Sequence, residues 1–117
     1  MSDFPEWTPL ADIADFAGER KLVRSIYGID LLLMLDGADV VVAHNHCTHM
    51  GRPLDRGKLM AGQISCPFHG ACFDLRTGAA RSGPAVAPLH LFPARVDGQT
   101  IYADLRNKPV TLWARPT

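Results

Sequence analysis

The chain has 117 residues, which is the size of one domain, and 47% of them are hydrophobic. Twelve Lys and Arg residues balance twelve Asp and Glu residues, so the formal net charge is zero. A neutral chain lacks the basic surface that nucleic-acid binding needs and the polybasic patch that holds proteins on membranes, and we expect neither partner. The longest apolar run, Leu31 to Leu35, is too short to cross a membrane, and the first residues do not resemble a signal peptide. We therefore expect a cytoplasmic protein.

The first half of the chain is dominated by strand patterns. Thr8-Pro9 predicts a short helical turn near the start, because Thr caps helices and Pro favours their first position. Lys21 to Tyr27 predicts a strand, and the almost continuously apolar run Ile29 to Leu35 predicts a strand buried on both faces. Asp36-Gly37 predicts a turn, and Asp39 to Ala43, which is rich in valine, predicts the next strand.

The end of the chain predicts a hairpin. Asp97-Gly98, a typical two-residue hairpin turn, separates the strand-like runs Leu89 to Val96 and Gln99 to Leu105. Pro93 has no backbone N–H to donate, so it should lie at a sheet edge or a bulge. Alternation places three apolar side chains of the last run on one face: Ile101, Ala103 and Leu105. The sequence thus predicts a mostly β fold, a small antiparallel sandwich or barrel.

The middle of the chain, from about residue 44 to residue 87, has a different character. It holds all three cysteines and four of the five histidines, and it predicts loops with short strands such as Gln63 to Ser65 and Ala71 to Leu75. An odd number of cysteines in a cytoplasmic chain argues against a disulfide framework. We expect residues 1–117 to form a single domain in which this region is a loop-rich subdomain held together by a metal centre.

Two segments of this region carry metal-ligand chemistry. Cys47-Thr48-His49 is followed, after a gap of sixteen residues, by Cys66-Pro67-Phe68-His69. Thiolates suit iron–sulfur chemistry and imidazole also binds iron, so two such loops can hold a two-iron cluster with both cysteines on one iron and both histidines on the other. The candidate ligands of a [2Fe–2S] cluster are therefore Cys47, His49, Cys66 and His69. Zinc is the competing metal, although its common Cys-x₂₋₄-Cys spacing does not occur here.

This ligand pattern resembles that of Rieske proteins, as do His69-Gly70-Ala71-Cys72-Phe73-Asp74, Thr77-Gly78 and Gly83-Pro84-Ala85. Over roughly Val40 to Leu105 the chain resembles a Rieske-type [2Fe–2S] ferredoxin of bacterial aromatic ring-hydroxylating dioxygenase systems. The resemblance implies the Rieske fold and a soluble electron carrier that is not itself an enzyme. It implies a flavoprotein ferredoxin reductase, drawing on NADH or NADPH, as electron donor and a terminal Rieske oxygenase as acceptor.

The resemblance also assigns roles to residues. Cys47 and Cys66 would bind the inner iron, His49 and His69 would bind the outer iron, and Gly83-Pro84 would form a third loop over the cluster. With neutral histidines, the formal charge of the oxidised centre is zero, because two thiolates replace the four of an all-cysteine cluster. A less negative centre accepts an electron more readily.

Departures from the high-potential members of the family lower the expected potential. Those proteins carry a disulfide-forming cysteine in each ligand loop, where this chain has Arg52 and Phe68. They also carry Ser and Tyr hydroxyl donors where this chain has Ala71 and Phe73. Hydrogen bonds to cluster sulfurs stabilise the reduced form, so we predict a potential on the order of −150 mV, at the low end of the Rieske range.

Other conspicuous residues have plainer interpretations. His44 and His46 are expected to be polar residues at a strand end, and His90 a structural histidine. Cys72 should point away from the cluster if its two neighbours face it. Three apolar residues beside the expected cluster could form a docking patch: Met50, Phe68 and Pro84. The tail from residue 106 to residue 117, with Trp113, is expected to fold back onto the body.

Three other functions remain open at this point. The first is the small Rieske-like subunit of an assimilatory nitrite reductase, although such subunits often lack the full ligand set. The second is a fragment of an oxygenase large subunit, which the domain-like first and last strands disfavour. The third is a non-redox zinc module that only binds partners.

Overall fold

The computed structural model describes residues 5–48, 52–67, 71–82 and 87–107. Within these residues the chain forms one short 3₁₀ helix, Ile13–Phe16, and eleven strands. The strands are β1 (Thr8–Asp12), β2 (Lys21–Ile26), β3 (Ile29–Asp36), β4 (Asp39–His44), β5 (Leu59–Met60), β6 (Gln63–Ser65), β7 (Cys72–Asp74), β8 (Ala80–Ser82), β9 (Leu91–Phe92), β10 (Ala94–Asp97) and β11 (Thr100–Ala103). They form three antiparallel sheets: sheet 1 (β1-β11-β10), sheet 2 (β2-β3-β4-β9) and sheet 3 (β5-β6-β7-β8). The predicted mostly β fold is confirmed.

Sheet 2 lies between two hydrophobic cores, and its strand β3 contributes to both. Leu32 and Met34 belong to the core shared with sheet 3, whereas Leu31 and Leu33 belong to the core shared with sheet 1. All four side chains are 0% exposed, which confirms a strand buried on both faces. Strands β2, β3 and β4 each end within one residue of the predicted boundary.

The predicted helical turn at Thr8-Pro9 is wrong. These residues open β1, which pairs with β11, and the chain makes a helical turn only afterwards, at Ile13–Phe16. Register shifts between Pro9 and Ala11, and a bulge on an edge strand accommodates a residue that has no N–H to donate. Burial of Leu10 in the core under sheet 1 outweighs the local preference for a helix start.

The C-terminal hairpin is confirmed, but the strand that precedes it is divided. Asp97 pairs with Thr100 around Gly98, whose φ of 65° suits glycine in a tight turn. Pro93 splits the predicted Leu89 to Val96 run into β9, which pairs with β4 in sheet 2, and β10, which pairs with β11 in sheet 1. The three residues predicted to share a face, Ile101, Ala103 and Leu105, are all 0% exposed.

Sheet 3 is built entirely from residues of the loop-rich middle region. Gln63–Ser65 is a strand as predicted, and the predicted Ala71 to Leu75 strand shortens to Cys72–Asp74. The structure adds two short strands that the sequence did not predict, Leu59–Met60 and Ala80–Ser82. In the described part of the chain, no helix has the length and apolar character needed to cross a bilayer.

Candidate metal centre

Two of the four predicted ligands, Cys47 and Cys66, lie at equivalent places in the fold. Cys47 follows the end of β4, and Cys66 follows the end of β6. Cys47 is 1% exposed and Cys66 is 3% exposed, and both belong to the core between sheets 2 and 3. Two thiols from distant parts of the sequence are therefore buried in one apolar cluster, at the ends of strands from two different sheets.

The backbone closes both cysteine loops in the same way. The N–H of Cys47 donates to the carbonyl of Arg52 at 2.6 Å, and the N–H of Cys66 donates to the carbonyl of Ala71 at 2.6 Å. Each bond spans the same number of residues and holds together the ends of a segment that contains one predicted histidine ligand. Those histidines, His49 and His69, lie outside the described residues.

The first loop is held from behind by Asn45, which is 6% exposed. Its side-chain oxygen accepts a hydrogen bond from the N–H of Leu54 at 2.7 Å, and its amide nitrogen donates to the carboxylate of Asp55 at 3.1 Å. The backbone N–H of Asn45 donates to the carbonyl of Asp30 at 2.8 Å. The buried side chain of Asn45 thus connects the end of β4 to residues 54 and 55, which follow the first cysteine loop.

Lys21 extends this support from the neighbouring strand β2. Its ammonium group donates to the carbonyls of Asp55 and Gly57, at 2.6 and 2.5 Å. Gly57 is buried, and a Cβ at this position would overlap the carbonyl oxygen of Ser65, the residue before Cys66. Only glycine therefore allows the segment after the first loop to approach the base of the second.

A third segment reaches the first loop from the other side. The hydroxyl of Thr48 donates to the carbonyl of Ala87 at 2.7 Å. Further along, the N–H of Leu89 donates to the carbonyl of Gly78 at 2.7 Å, and Gly78 has a φ of 80° with no room for a Cβ against Leu89. The residues that follow the predicted third loop are therefore bonded to the first cysteine loop and to the turn between β7 and β8. Gly83-Pro84 lies outside the described residues, as do Met50, Phe68 and the tail from residue 108 to residue 117.

A histidine cluster lies at the same end of sheet 2. His44 and His46 stack with ring centroids 4.2 Å apart, and Nε2 of His46 lies 3.5 Å from a carboxylate oxygen of Asp30. Burial, assisted by the nearby His46 and His90, lowers the pKa of His44 to about 4. His44 is therefore neutral at physiological pH. Burial also lowers the pKa of His90.

Cys72 differs from the other two cysteines. It opens β7 and is half-buried, whereas its neighbours Ala71 and Phe73 are both 0% exposed in the core that contains Cys47 and Cys66. All three cysteines, each within the described residues, carry thiols and none forms a disulfide. Alternation along β7 thus turns Cys72 away from that core.

The donor set fits a soft metal centre. Two unbridged thiols in a buried cluster supply the ligands that iron–sulfur chemistry needs. Among the described residues no three His, Cys, Asp or Glu side chains come together as a metal site, and two of the four predicted ligands are not among those residues. Sequence reasoning missed the supports Asn45, Lys21 and Gly57, since none of them belongs to a spacing pattern.

A mostly β scaffold with two matching cysteine loops defines a class of small proteins that hold a metal centre between loops. Within that class, the Rieske [2Fe–2S] domain model matches residues 6–93, which is most of the chain, and the chain belongs to this family. The cofactor of a Rieske domain is a [2Fe–2S] cluster.

The comparisons with individual proteins include both small ferredoxins and a much larger protein. The chain is 32% identical over 95 residues to the anthranilate 1,2-dioxygenase ferredoxin subunit of Burkholderia cepacia, covering 80% of this chain and 88% of that one. It is 32% identical over 98 residues to human apoptosis-inducing factor 3, but spans only 16% of that protein's length. Among solved structures, the ferredoxin of carbazole 1,9a-dioxygenase from Nocardioides aromaticivorans IC177 matches with a TM-score of 0.78 and 28% identity, over 86% of this chain and 98% of the other. The relatives named as ferredoxins are electron-carrying components and not catalytic subunits.

Proposed function

We propose that this chain is a cytoplasmic ferredoxin that passes single electrons from an NAD(P)H-dependent flavoprotein reductase to the terminal oxygenase of an aromatic ring-hydroxylating dioxygenase. The electrons pass through a low-potential Rieske [2Fe–2S] cluster. Its ligands are Cys47 and Cys66 on the inner iron and His49 and His69 on the outer iron. The residues from about 44 to 87 form the cluster-binding subdomain, inserted in the basal β domain of a single domain that spans residues 1–117.

The observation that carries this proposal is the matched pair of buried cysteine loops. Cys47 and Cys66 lie in one core with the same backbone closure, which suits two loops that each contribute one cysteine and one histidine. The role as a ferredoxin is supported by relatives of the same size: the anthranilate and carbazole ferredoxins match over 88% and 98% of their own length. A chain from the structure of a complex between the oxygenase and the ferredoxin of carbazole 1,9a-dioxygenase also matches, with a TM-score of 0.79 and 26% identity.

The chain's own residues set the conditions for electron transfer. Burial of Cys47 and Cys66 keeps water from the sulfur ligands, and the closed loops fix where the cluster can sit. When bound, the cluster supplies a site that takes up and releases one electron at a time. Hydrogen bonds from Asn45, Lys21 and Thr48 fix the first loop and the segment that follows it, so that little reorganisation of the protein would accompany each transfer.

The low potential is supported by the side chains nearest the cysteines. Ala71 and Phe73 are fully buried in the same core and have no hydroxyl to donate to a sulfur. Arg52 occupies the position of a bridging cysteine, and the described residues contain no disulfide. Fewer donors to the reduced cluster place the potential low in the Rieske range.

Metal analysis tests the ligand assignment directly. The purified protein should contain two iron atoms and two acid-labile sulfides per chain, since one [2Fe–2S] cluster has that composition. Cys47→Ser and Cys66→Ser should lose both, whereas Cys72→Ser, the matched change at a cysteine that faces away, should keep both. Zinc without sulfide in the wild-type protein would refute the proposal and support a zinc module.

Reconstitution tests the partners. The protein should be reduced by NADH or NADPH only when a flavoprotein reductase of a dioxygenase system is present, and should then be reoxidised by the terminal oxygenase with its substrate. If dithionite reduces the cluster but neither the reductase nor the oxygenase exchanges electrons with it, the proposed metal centre would be supported and the proposed role as their electron carrier would be refuted.

A further inference from the structure

The zero net charge of this chain conceals a separation of charge. Residues 44–87 contain five of the twelve basic residues but only two of the twelve acidic residues, so this region is formally +3. The rest of the chain has seven basic and ten acidic residues and is formally −3. The region that contains the candidate metal centre is therefore formally positive, and the rest of the chain is formally negative.

The basic residues of this end lie beside the two cysteine loops. Arg52, Arg56 and Lys58 are all exposed on the segment that joins the loops. The carbonyl of Arg52 closes the first loop, and the backbone of Lys58 is bonded to Ser65, the residue before Cys66. A fourth cation, Arg81, has a side chain 57% exposed on β8, two residues before the predicted third loop begins. These four cations are called the basic rim.

The acidic residues near the basic rim neutralise only part of it. Asp55 is half-buried and accepts a hydrogen bond from Asn45, and the side chain of Asp74 is 18% exposed and lies 3.3 Å from Arg81. Asp30, at 58% side-chain exposure, is an exposed acid at this end and faces His46 at 3.5 Å. The segment from residue 52 to residue 58 therefore keeps a positive excess at the surface.

The opposite end of sheet 2 carries acidic residues beside two basic ones, Arg20 and Lys21. Asp36 and Asp39 flank the turn between β3 and β4, at the end of β4 farthest from Cys47. Glu19 and Arg20 approach the same end, where the carbonyl of Arg20 accepts the N–H of Leu35. Three acidic residues from outside residues 44–87 therefore lie at the end of sheet 2 farthest from Cys47.

We propose that the basic rim is the docking surface for a redox partner whose surface around its own cofactor is rich in Asp and Glu. The inference rests on the proposed electron-transfer function, because an electron can leave only where a partner approaches the cluster. Redox complexes are brief and have small interfaces, so long-range attraction and orientation matter more than extensive packing. In a chain with no net charge, exposed cations concentrated beside the cysteine loops would orient the encounter and bring this region toward an acidic partner.

Small oxidants of opposite charge test the field without any protein partner. The dithionite-reduced protein is mixed in a stopped-flow instrument with trianionic ferricyanide or tricationic hexaammineruthenium(III), each of which accepts one electron from the reduced protein. The rate with ferricyanide should fall as salt is added, and the rate with the ruthenium complex should rise or stay flat. Rates that do not depend on salt, or that show the reverse trend, would overturn the proposal.

Matched charge reversals locate the effect. Arg56→Glu combined with Lys58→Glu should abolish the salt dependence with ferricyanide and slow the reaction at low salt by about tenfold. Arg20→Glu combined with Arg95→Glu changes the net charge by the same amount on the basal sheets and should leave the salt dependence unchanged. The glutamine versions of the first pair provide a milder change if the glutamates prevent folding. Equal effects of the two pairs would mean that only net charge matters, and the basic rim would have no special role.

Two further measurements separate this inference from the proposed function. The first measurement is retention on a cation exchanger at neutral pH, which does not depend on electron transfer by a cluster. The wild type should bind despite its zero net charge. The charge reversal at Arg56 and Lys58 should abolish binding, and the reversal at Arg20 and Arg95 should not. In the reconstituted dioxygenase reaction the reversal at Arg56 and Lys58 should raise KM by about tenfold with kcat unchanged. A lower KM would mean that the partner is basic, which would refute the docking proposal while leaving the electron carrier intact.

Discussion

Replacing Asn45 provides a direct test of how the first cysteine loop is held. Asn45→Ala would remove the acceptor for the buried N–H of Leu54 and the donor to the carboxylate of Asp55. A buried amide left without a partner costs about 1–3 kcal/mol, and loss of a bond to a charged group adds a comparable amount. We expect a loss of about 3 kcal/mol, a large part of the 5–15 kcal/mol by which domains are usually stable.

The assay follows release of the cluster, because that requires the loop to open. If opening becomes easier by about 3 kcal/mol, iron transfer to a chelator should be about 100-fold faster, since each 1.4 kcal/mol is a factor of ten. Bleaching of the visible absorption measures this rate, and a thermal melt of the same sample measures the loss of stability. The potential of molecules that still hold the cluster should change little.

Exchanging the two polar partners provides the control. Asn45→Asp keeps an acceptor for Leu54 but places a second carboxylate against Asp55, so it should also destabilise the loop. Adding Asp55→Asn restores one donor and one acceptor across the pair and should recover most of the lost stability. If Asn45→Ala releases iron at the wild-type rate, or if the double exchange is no better than Asn45→Asp, the hydrogen bonds described here do not hold the loop.

Three other perturbations test neighbouring parts of the site. Gly57→Ala should lower the free energy of unfolding, measured by denaturant titration, by several kcal/mol, because the backbone must move away from Ser65. Gly62→Ala, where the space is open but φ is 74°, should lower it by only about 1 kcal/mol. Similar losses for the two variants would contradict the close approach of Gly57 to Ser65. Burial lowers the pKa of His44 to about 4, so between about pH 6.5 and pH 4 this side chain is protonated in the unfolded chain and neutral in the folded one. The free energy of unfolding should therefore decrease as the pH falls across that range, by up to about 3 kcal/mol. His44→Gln should flatten this decline, and an unchanged slope would assign it to other groups. Ala71→Ser should raise the reduction potential measured by voltammetry, and a potential that stays constant or falls would show that this position does not reach a cluster sulfur.

The long strands could be predicted from the sequence because burial leaves a strong pattern in them. The run Ile29 to Leu35 is apolar at nearly every position, and β3 is indeed covered on both faces. The turns at Asp36-Gly37 and Asp97-Gly98 were predictable for a local reason, since glycine there adopts φ values of 63° and 65°. Thr8-Pro9 misled because its local preference for a helix start was outweighed by pairing of β1 with β11, a contact that no short window of sequence contains.

Candidate ligands for the metal centre could be proposed from the sequence, whereas the residues that support their loops could not. Cys47 and Cys66 stand out because soft ligands at a fixed spacing with histidines are uncommon, and the assignment of these two cysteines and of His49 and His69 as ligands stays a prediction. Asn45 and Lys21 gave no comparable sign, since a single polar residue becomes informative only when its partner across the fold is known. Their partners, the residues from 54 to 57, are brought near by the fold and by no local pattern.

Because strand β3 contributes to both cores, the register of its pairing in sheet 2 also determines where the candidate metal centre lies. Its even-numbered residues Leu32 and Met34 face the cysteines' core, and its odd-numbered residues Leu31 and Leu33 face the other core. A slip of one position along β2 or β4 would exchange these two sets and move every side chain to the opposite side of the sheet. Mutations that loosen β3 should therefore misplace the end of β4, from which Cys47 departs, even when they lie far from any metal ligand.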